Sequence, residues 1–158
     1  IEKFETIGQL DFTHLIIPDH NIRLLQIAPL LPFYDVDPKK IQFVGTGVWD
    51  DDIFFKEPSL QGAIFPGVSK ERRLDYFDQY TKIYNNYPIR TITIVYDLIG
   101  LITYIIENNH TVNSALLLLN QDSVSFEGID GEFSFKKNLI QRKLNILKIS
   151  DGETKILN

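Results

Sequence analysis

Apolar and polar positions along this chain fall into short blocks whose period changes several times. Phe12-Thr-His-Leu-Ile-Ile17 is a short apolar run closed by Pro18-Asp19. That is the pattern of a strand handing over to a helix N-cap, with Asp19 as the capping carboxylate. The helix predicted next carries Ile22, Leu25 and Ala28 on one face, with Leu24 and Ile27 beside them. Pro29 and Pro32 then stop or bend it, because neither can donate a backbone hydrogen bond. Residues 31–40 read as a surface loop. Ile41-Gln-Phe-Val44 predicts a second strand, broken by Gly45-Thr-Gly47, and Gly62-Ala-Ile-Phe65 a third, ended by Pro66-Gly67.

The period then becomes helical. Ser69 is placed to cap an amphipathic helix over 70–84, with Leu74, Phe77, Tyr80 or Thr81, and Tyr84 on its buried stripe. A second long helix is predicted over about 90–107, apolar nearly all round as a helix packed on two sides must be. A short helix over 111–119 follows. The tail reverts to strand, with alternation in Glu132-Phe-Ser-Phe135 and two runs, 144–149 and 154–157, flanking Asp151-Gly152. Asp-Gly between alternating runs is a hairpin signal. Strands interleaved with helices predict an α/β fold of three layers, with a mainly parallel sheet and a C-terminal antiparallel hairpin.

Composition narrows the function classes. The chain has 158 residues, 44% of them hydrophobic, enough for one ordinary domain. A net charge of −5 and only short basic clusters argue against a nucleic-acid partner, which would need grouped Lys and Arg. Without cysteine there are no disulfides, thiolate metal sites or cysteine nucleophiles. The 22 isoleucines against 3 alanines reflect AT-rich coding, so isoleucine content is discounted as a strand signal. The longest apolar run, over 92–106, is interrupted by Asp97 and falls short of the ~20 residues of a membrane span. Ile1-Glu-Lys-Phe-Glu5 lacks the basic start and apolar run of an export signal.

Candidate chemistry is sparse. Asp50, Asp51 and Asp52 invite a metal reading, but consecutive acids before Ile53-Phe54 suit a helix N-terminus better, where the backbone dipole favours negative charge. His14, His20 and His110 show no ligand spacing, and no serine stands in a nucleophile elbow. No catalytic residue, metal or cofactor is predicted, and the chain reads as not an enzyme. Thr46, Gly47, Trp49 and Asp50 are the candidate ligand-binding residues, because they follow a parallel strand at the end of the sheet where open α/β folds bind ligands. Trp49 is expected to be partly exposed there. Gly128 and Gly131 are read as serving backbone geometry, and Asp97 as needing a partner, either on another lobe or a nearby backbone amide.

Several segments, in order and spacing, resemble the C-terminal portion of the Leu/Ile/Val-binding kind of type I periplasmic-binding protein. The nearest branch is the penicillin-binding-protein activators of alphaproteobacteria. The matching residues include Leu15-Ile-Ile-Pro-Asp19, Val44-Gly-Thr-Gly-Val-Trp-Asp50, Leu60-Gln-Gly-Ala-Ile-Phe65, Val95-Tyr-Asp-Leu98 and Phe126-Glu-Gly-Ile-Asp-Gly-Glu-Phe-Ser-Phe135. The resemblance implies a partial two-lobed fold, with 1–61 and 122–158 in the second lobe and helices over 66–120 in the first. It implies a hinge strand over 62–65, with Gly62, Phe65 and Pro66 as hinge residues. It also implies a periplasmic receptor module whose partner is a small-molecule ligand or, for an activator, a cell-wall synthase. The upstream half of such a protein is absent from this sequence. Long apolar helices without their usual sheet should make the chain self-associate, or bind an upstream segment, rather than stand alone as a monomer.

Overall fold

The first half of the chain folds as strand, helix, strand, because its apolar runs are too short for helix and are separated by proline and glycine. The protein is described by a computed structural model that covers residues 10–108 and 110–157. Residues 1–5, where the absence of an export signal was read, lie outside the described residues. In chain order the elements begin with β1 (His14–Ile16), α1 (Asn21–Ile27), α2 (Leu30–Phe33), β2 (Gln42–Val44), a 3-10 turn (Gly47–Trp49) and α3 (Asp52–Phe55). A second 3-10 turn (Pro58–Leu60), β3 (Ile64–Gly67) and a third turn (Lys70–Arg73) follow. Next come α4 (Leu74–Tyr84), α5 (Ile92–Glu107), α6 (Val112–Leu119), β4 (Ser125–Gly128) and β5 (Gly131–Lys136). The last are β6 (Leu139–Arg142), β7 (Asn145–Ser150) and β8 (Glu153–Ile156).

These elements form two compact units. One comprises Ile1–Gly67 with Asn145–Asn158, the other Val68–Leu144. The first unit is built on a five-stranded sheet in the order β1-β2-β3-β7-β8. Its β1, β2 and β3 run parallel, while β7 and β8 add antiparallel strands, so the expected mainly parallel sheet with a terminal hairpin is present. Asp151 and Gly152 turn that hairpin with φ of +58° and +84°, the left-handed pair that a tight hairpin requires. Leu24, Phe43, Trp49, Phe54, Phe55, Leu60, Phe65, Leu147 and Ile149 form the core of this unit and are essentially inaccessible to solvent. Within it Phe55 and Phe65 stack at 6.0 Å.

Local details depart from the sequence-based expectations in ways that have physical causes. Asp19 does not cap α1. His20 is the N-cap, without a side-chain cap bond, and Asp19 Oδ1 instead accepts from the His20 N–H at 2.8 Å. The helix turns so that Leu24 and Ala28 face inward and Ile22 is left 68% exposed. The third strand is shifted by two residues, to Ile64–Gly67, because the chain is still turning at Gly62, whose φ is +89° and whose N–H donates to the Ile149 carbonyl. Pro66 and Gly67 therefore lie within β3 rather than ending it.

The second unit carries an antiparallel sheet of its own, β4-β5-β6, beside α4, α5 and α6. Ser69 makes no side-chain cap, since a 3-10 turn intervenes and α4 starts only at Leu74. No residue of α4 is buried, and Leu74 and Tyr84 of the expected stripe are exposed. The two long helices otherwise form where the hydrophobic period put them, and Thr111 caps α6 through a bond from the Ser114 N–H. Strand β6 had no sequence signal: its turn is Lys137-Asn138, with φ of +51° and +64° but no glycine.

Burial predicts how the first unit responds to truncation. Phe43→Ala should cost about 3–5 kcal/mol, as for other fully buried aromatic side chains. Ile16→Ala, on an exposed position, should stay within about 0.5 kcal/mol of the parent. Urea denaturation followed by Trp49 fluorescence checks both, and equal losses would contradict the core described here.

Candidate functional site

The loops that follow β1 and β2 lie at the same end of the parallel sheet, because adjacent parallel strands must leave their ends together. One hydrogen bond ties them. The Trp49 indole N–H donates to the Asp19 carbonyl at 2.9 Å, joining the loop after β2 to the loop after β1. Trp49 is completely buried, so the partial exposure expected of it is not found. The cause is Gly45: a β-carbon there would stand 2.1 Å from the indole, so the missing side chain lets the ring lie down on the backbone. With its N–H satisfied, an indole loses nothing by burial.

The other candidate residues divide accordingly. Thr46 is half-buried and Gly47 exposed, while Asp50 is buried and held by neighbours. Asp51 accepts from the Ile53 N–H at 3.1 Å and Asp52 stands in the first turn of α3, which is the capping role read for this acidic run. Among the described residues no three His, Asp or Glu side chains gather as a metal site. Beside the loop after β1 a groove of about 380 Å³ is lined mainly by Leu15, Ile16, Ile17, Pro18, Ile27 and Leu31.

The second unit holds a buried ionic network that sequence reasoning reached only at Asp97. Its carboxylate accepts from the Ile129 N–H at 2.8 Å and the Asp130 N–H at 3.0 Å, the two turn residues between β4 and β5. Arg142 Nη1 completes the set, 3.2 Å from Asp97 Oδ2 and 3.3 Å from Asp130 Oδ2. Asp130 Oδ1 in turn pairs with Arg90 Nη2 at 2.6 Å, and the Thr93 hydroxyl lies 3.2 Å away. Two carboxylates are thus balanced by two guanidinium groups, and Arg142 also lies 5.0 Å over the Phe133 ring. Gly128 is required here, because a β-carbon would come within 2.4 Å of the Asp97 carboxylate. Such a neutralised cluster is suited to holding a turn, not to moving protons.

Against α5 in the same unit lies a recess of about 520 Å³, walled by Tyr96, Leu101, Tyr104, Phe126 and Phe133. Arg72 and Glu127 are ion-paired and also line it. Close by, burial and then neighbouring Tyr80, Tyr96 and Tyr84 hold the Tyr76 hydroxyl above the usual phenol range.

Solved structures similar to this chain include ligand-binding receptors and a regulator of PBP1A. An extracellular ligand-binding receptor from Rhodopseudomonas palustris HaA2 matches 92% of this chain over 47% of its own, with a TM-score of 0.66 and 14% identity. The branched-chain amino acid transporter substrate-binding protein LivJ from Streptococcus pneumoniae, solved with isoleucine, matches 96% of this chain over 46% of its own, at 0.64 and 16%. The C-domain of LpoA from Haemophilus influenzae, a regulator of PBP1A, matches 92% over 45%, at 0.60 and 12%. The chain has the periplasmic-binding-protein fold. The likeness is to the fold and not the sequence, and the chain spans about half the length of these structures. No family model and no curated protein matches the sequence itself.

In the loop after β2, Gly47 is exposed and Thr46 half-buried, while Trp49 is buried. The Gly-x-Gly-x-Trp pattern was the signal that located this loop. What it could not give was the direction of the ring, which depends on Gly45, four residues before Trp49. Arg142, Arg90 and Asp130 escaped notice because nothing local links them to Asp97.

Two measurements follow. Trp49 should emit as a buried indole and resist iodide quenching, while Gly45→Ala, by overpacking the ring, should cost roughly 1–3 kcal/mol and shift the emission to the red. Asp97→Ala leaves Arg142 with a broken pair and should cost about 3–5 kcal/mol. It should also speed hydrogen exchange at the Ile129 and Asp130 amides ahead of the rest of the unit.

Proposed function

We propose that this chain is a non-catalytic binding module of the periplasmic amino-acid receptor kind, supplying one wall of a ligand cleft. The carrying observation is the Trp49–Asp19 bond, which fixes two adjacent loops at the carboxyl ends of parallel strands. That is the position where open α/β sheets take their ligands. Thr46 and Gly47 would offer backbone donors to a carboxylate, and Trp49 and Asp50 would hold the loop from within. A groove at the loop after β1 is walled by aliphatic side chains, which suits an aliphatic ligand.

The unit boundaries support a hinge reading of the segment containing Gly62, Phe65 and Pro66. The chain passes between units after Gly67 and again after Leu144, and Gly67 is the register partner of Asn145. Two neighbouring strands thus carry both crossings. On this reading the unit built on β1, β2, β3, β7 and β8 belongs to the second lobe. The unit Val68–Leu144 would belong to the first.

The likeness to LpoA supports a second reading, a protein-interaction module acting on a cell-wall synthase. One titration separates the two. With only one wall of a cleft, leucine, isoleucine or valine should bind no tighter than about millimolar, near −4 kcal/mol. In amide NMR spectra they should shift the Thr46, Gly47 and Val48 signals, and Gly47→Val should abolish the shifts. No perturbation by any of the three at tens of times that concentration would reject the receptor reading in favour of the interaction reading.

A further inference from the structure

Helix α5 buries one side and leaves the opposite side open. Thr93, Asp97 and Leu101 are its buried residues, spaced four apart on the face held by the ionic network. Half a turn round the helix lie Val95, Ile99, Ile102 and Ile106, exposed by 48%, 59%, 55% and 68%. With half-buried Ile92 they fall at intervals of three, four, three and four residues. That 3-4-3-4 spacing makes a straight seam along a helix, the pattern by which one helix receives the knobs of another. No charge interrupts it, since the only ionisable side chains within α5 besides its tyrosines are Asp97, on the far face, and Glu107, at the last residue.

We propose that this seam is the interface of a homodimer in which α5 packs antiparallel against α5 of a second copy. The open area is on the right scale: with Tyr96 on one flank it amounts to on the order of 500 Å², in the upper part of the range for apolar patches on monomers. That is more than half of the ~800 Å² that each partner gives to a stable complex. The seam runs from residue 92 to 106 and is centred on Ile99, so a two-fold axis at Ile99 sets Ile99 against its own copy and Ile92 against Ile106, with Val95 facing Thr103 and Ile102 facing Tyr96. Antiparallel pairing sets Glu107 of one copy against the start of α5 in the other. There Thr91, the N-cap, provides no side-chain cap, and the helix dipole favours a carboxylate. Crossing at the shallow angle of three-four ridge packing would keep the whole length in contact. This pairing lies within one unit and does not depend on the receptor reading.

The absence of cysteine makes the pairing directly testable. Sedimentation equilibrium on the whole 18.3 kDa chain should give about twice that mass in the tens-of-micromolar range. The double substitution Ile99→Lys with Ile102→Lys should return it to the monomer with an unchanged far-UV circular dichroism spectrum. Leu117→Lys, exposed on α6 and off the seam, should leave the dimer intact. Ile99→Cys should oxidise to a disulfide-linked dimer. Chains carrying Ile92→Cys should cross-link to chains carrying Ile106→Cys but not to themselves. A monomeric parent chain overturns the proposal, as does an assembly that survives the double lysine change. If the lysine variant loses its fold, the cross-links decide: no Ile99→Cys dimer, or self-linking of Ile92→Cys, overturns the antiparallel pairing.

Discussion

The second unit is organised around one buried carboxylate. Asp97 comes from a helix, yet its two oxygens are spent on the backbone amides of a β-turn and on an arginine from a third strand. Burying a charge is tolerable only when such partners are supplied, and here each comes from a different part of the chain. The consequence is geometric. The carboxylate fixes which side of α5 meets the β4–β5 turn, Gly128 allows the approach, and Arg142 brings in β6. Because rotation about the helix axis is fixed, the face opposite Asp97 is the one that remains open.

The first unit uses a neutral version of the same device. An indole N–H bridges two loops, and the ring behind it fills the core. Burial and hydrogen bonding act together: the apolar ring makes the loop costly to displace, and the bond sets its register against the neighbouring loop. Loops held this way keep their backbone donors in a fixed arrangement.

The two units are not equally self-sufficient. Large aromatic and aliphatic side chains fill the core of the first, whereas the second leaves Val95, Ile99, Ile102, Ile106, Val112 and Leu117 facing outward. The physical pressure toward a partner therefore falls mainly on the helices of the second unit.

The sequence by itself determined the class of fold and the places where its elements change. Short apolar runs ended by Pro or Gly became β1 and β2, a third such run gave β3 two residues later than expected, and a 16-residue apolar stretch became α5. Asp151-Gly152 became the terminal hairpin, and Asp51 the cap of α3. These follow from local chemistry: backbone donors, preferred dihedrals and periodicity act within a few residues. Only the tertiary structure decided that Trp49 points inward, that Asp19 serves through its carbonyl, and that Arg90, Asp130 and Arg142 converge near Asp97. It also decided that β4, β5 and β6 form a sheet apart from the first. Such choices depend on contacts between residues 30 to 45 positions apart, as in Trp49 with Asp19 and Arg142 with Asp97, and no local pattern encodes which distant group will supply a partner.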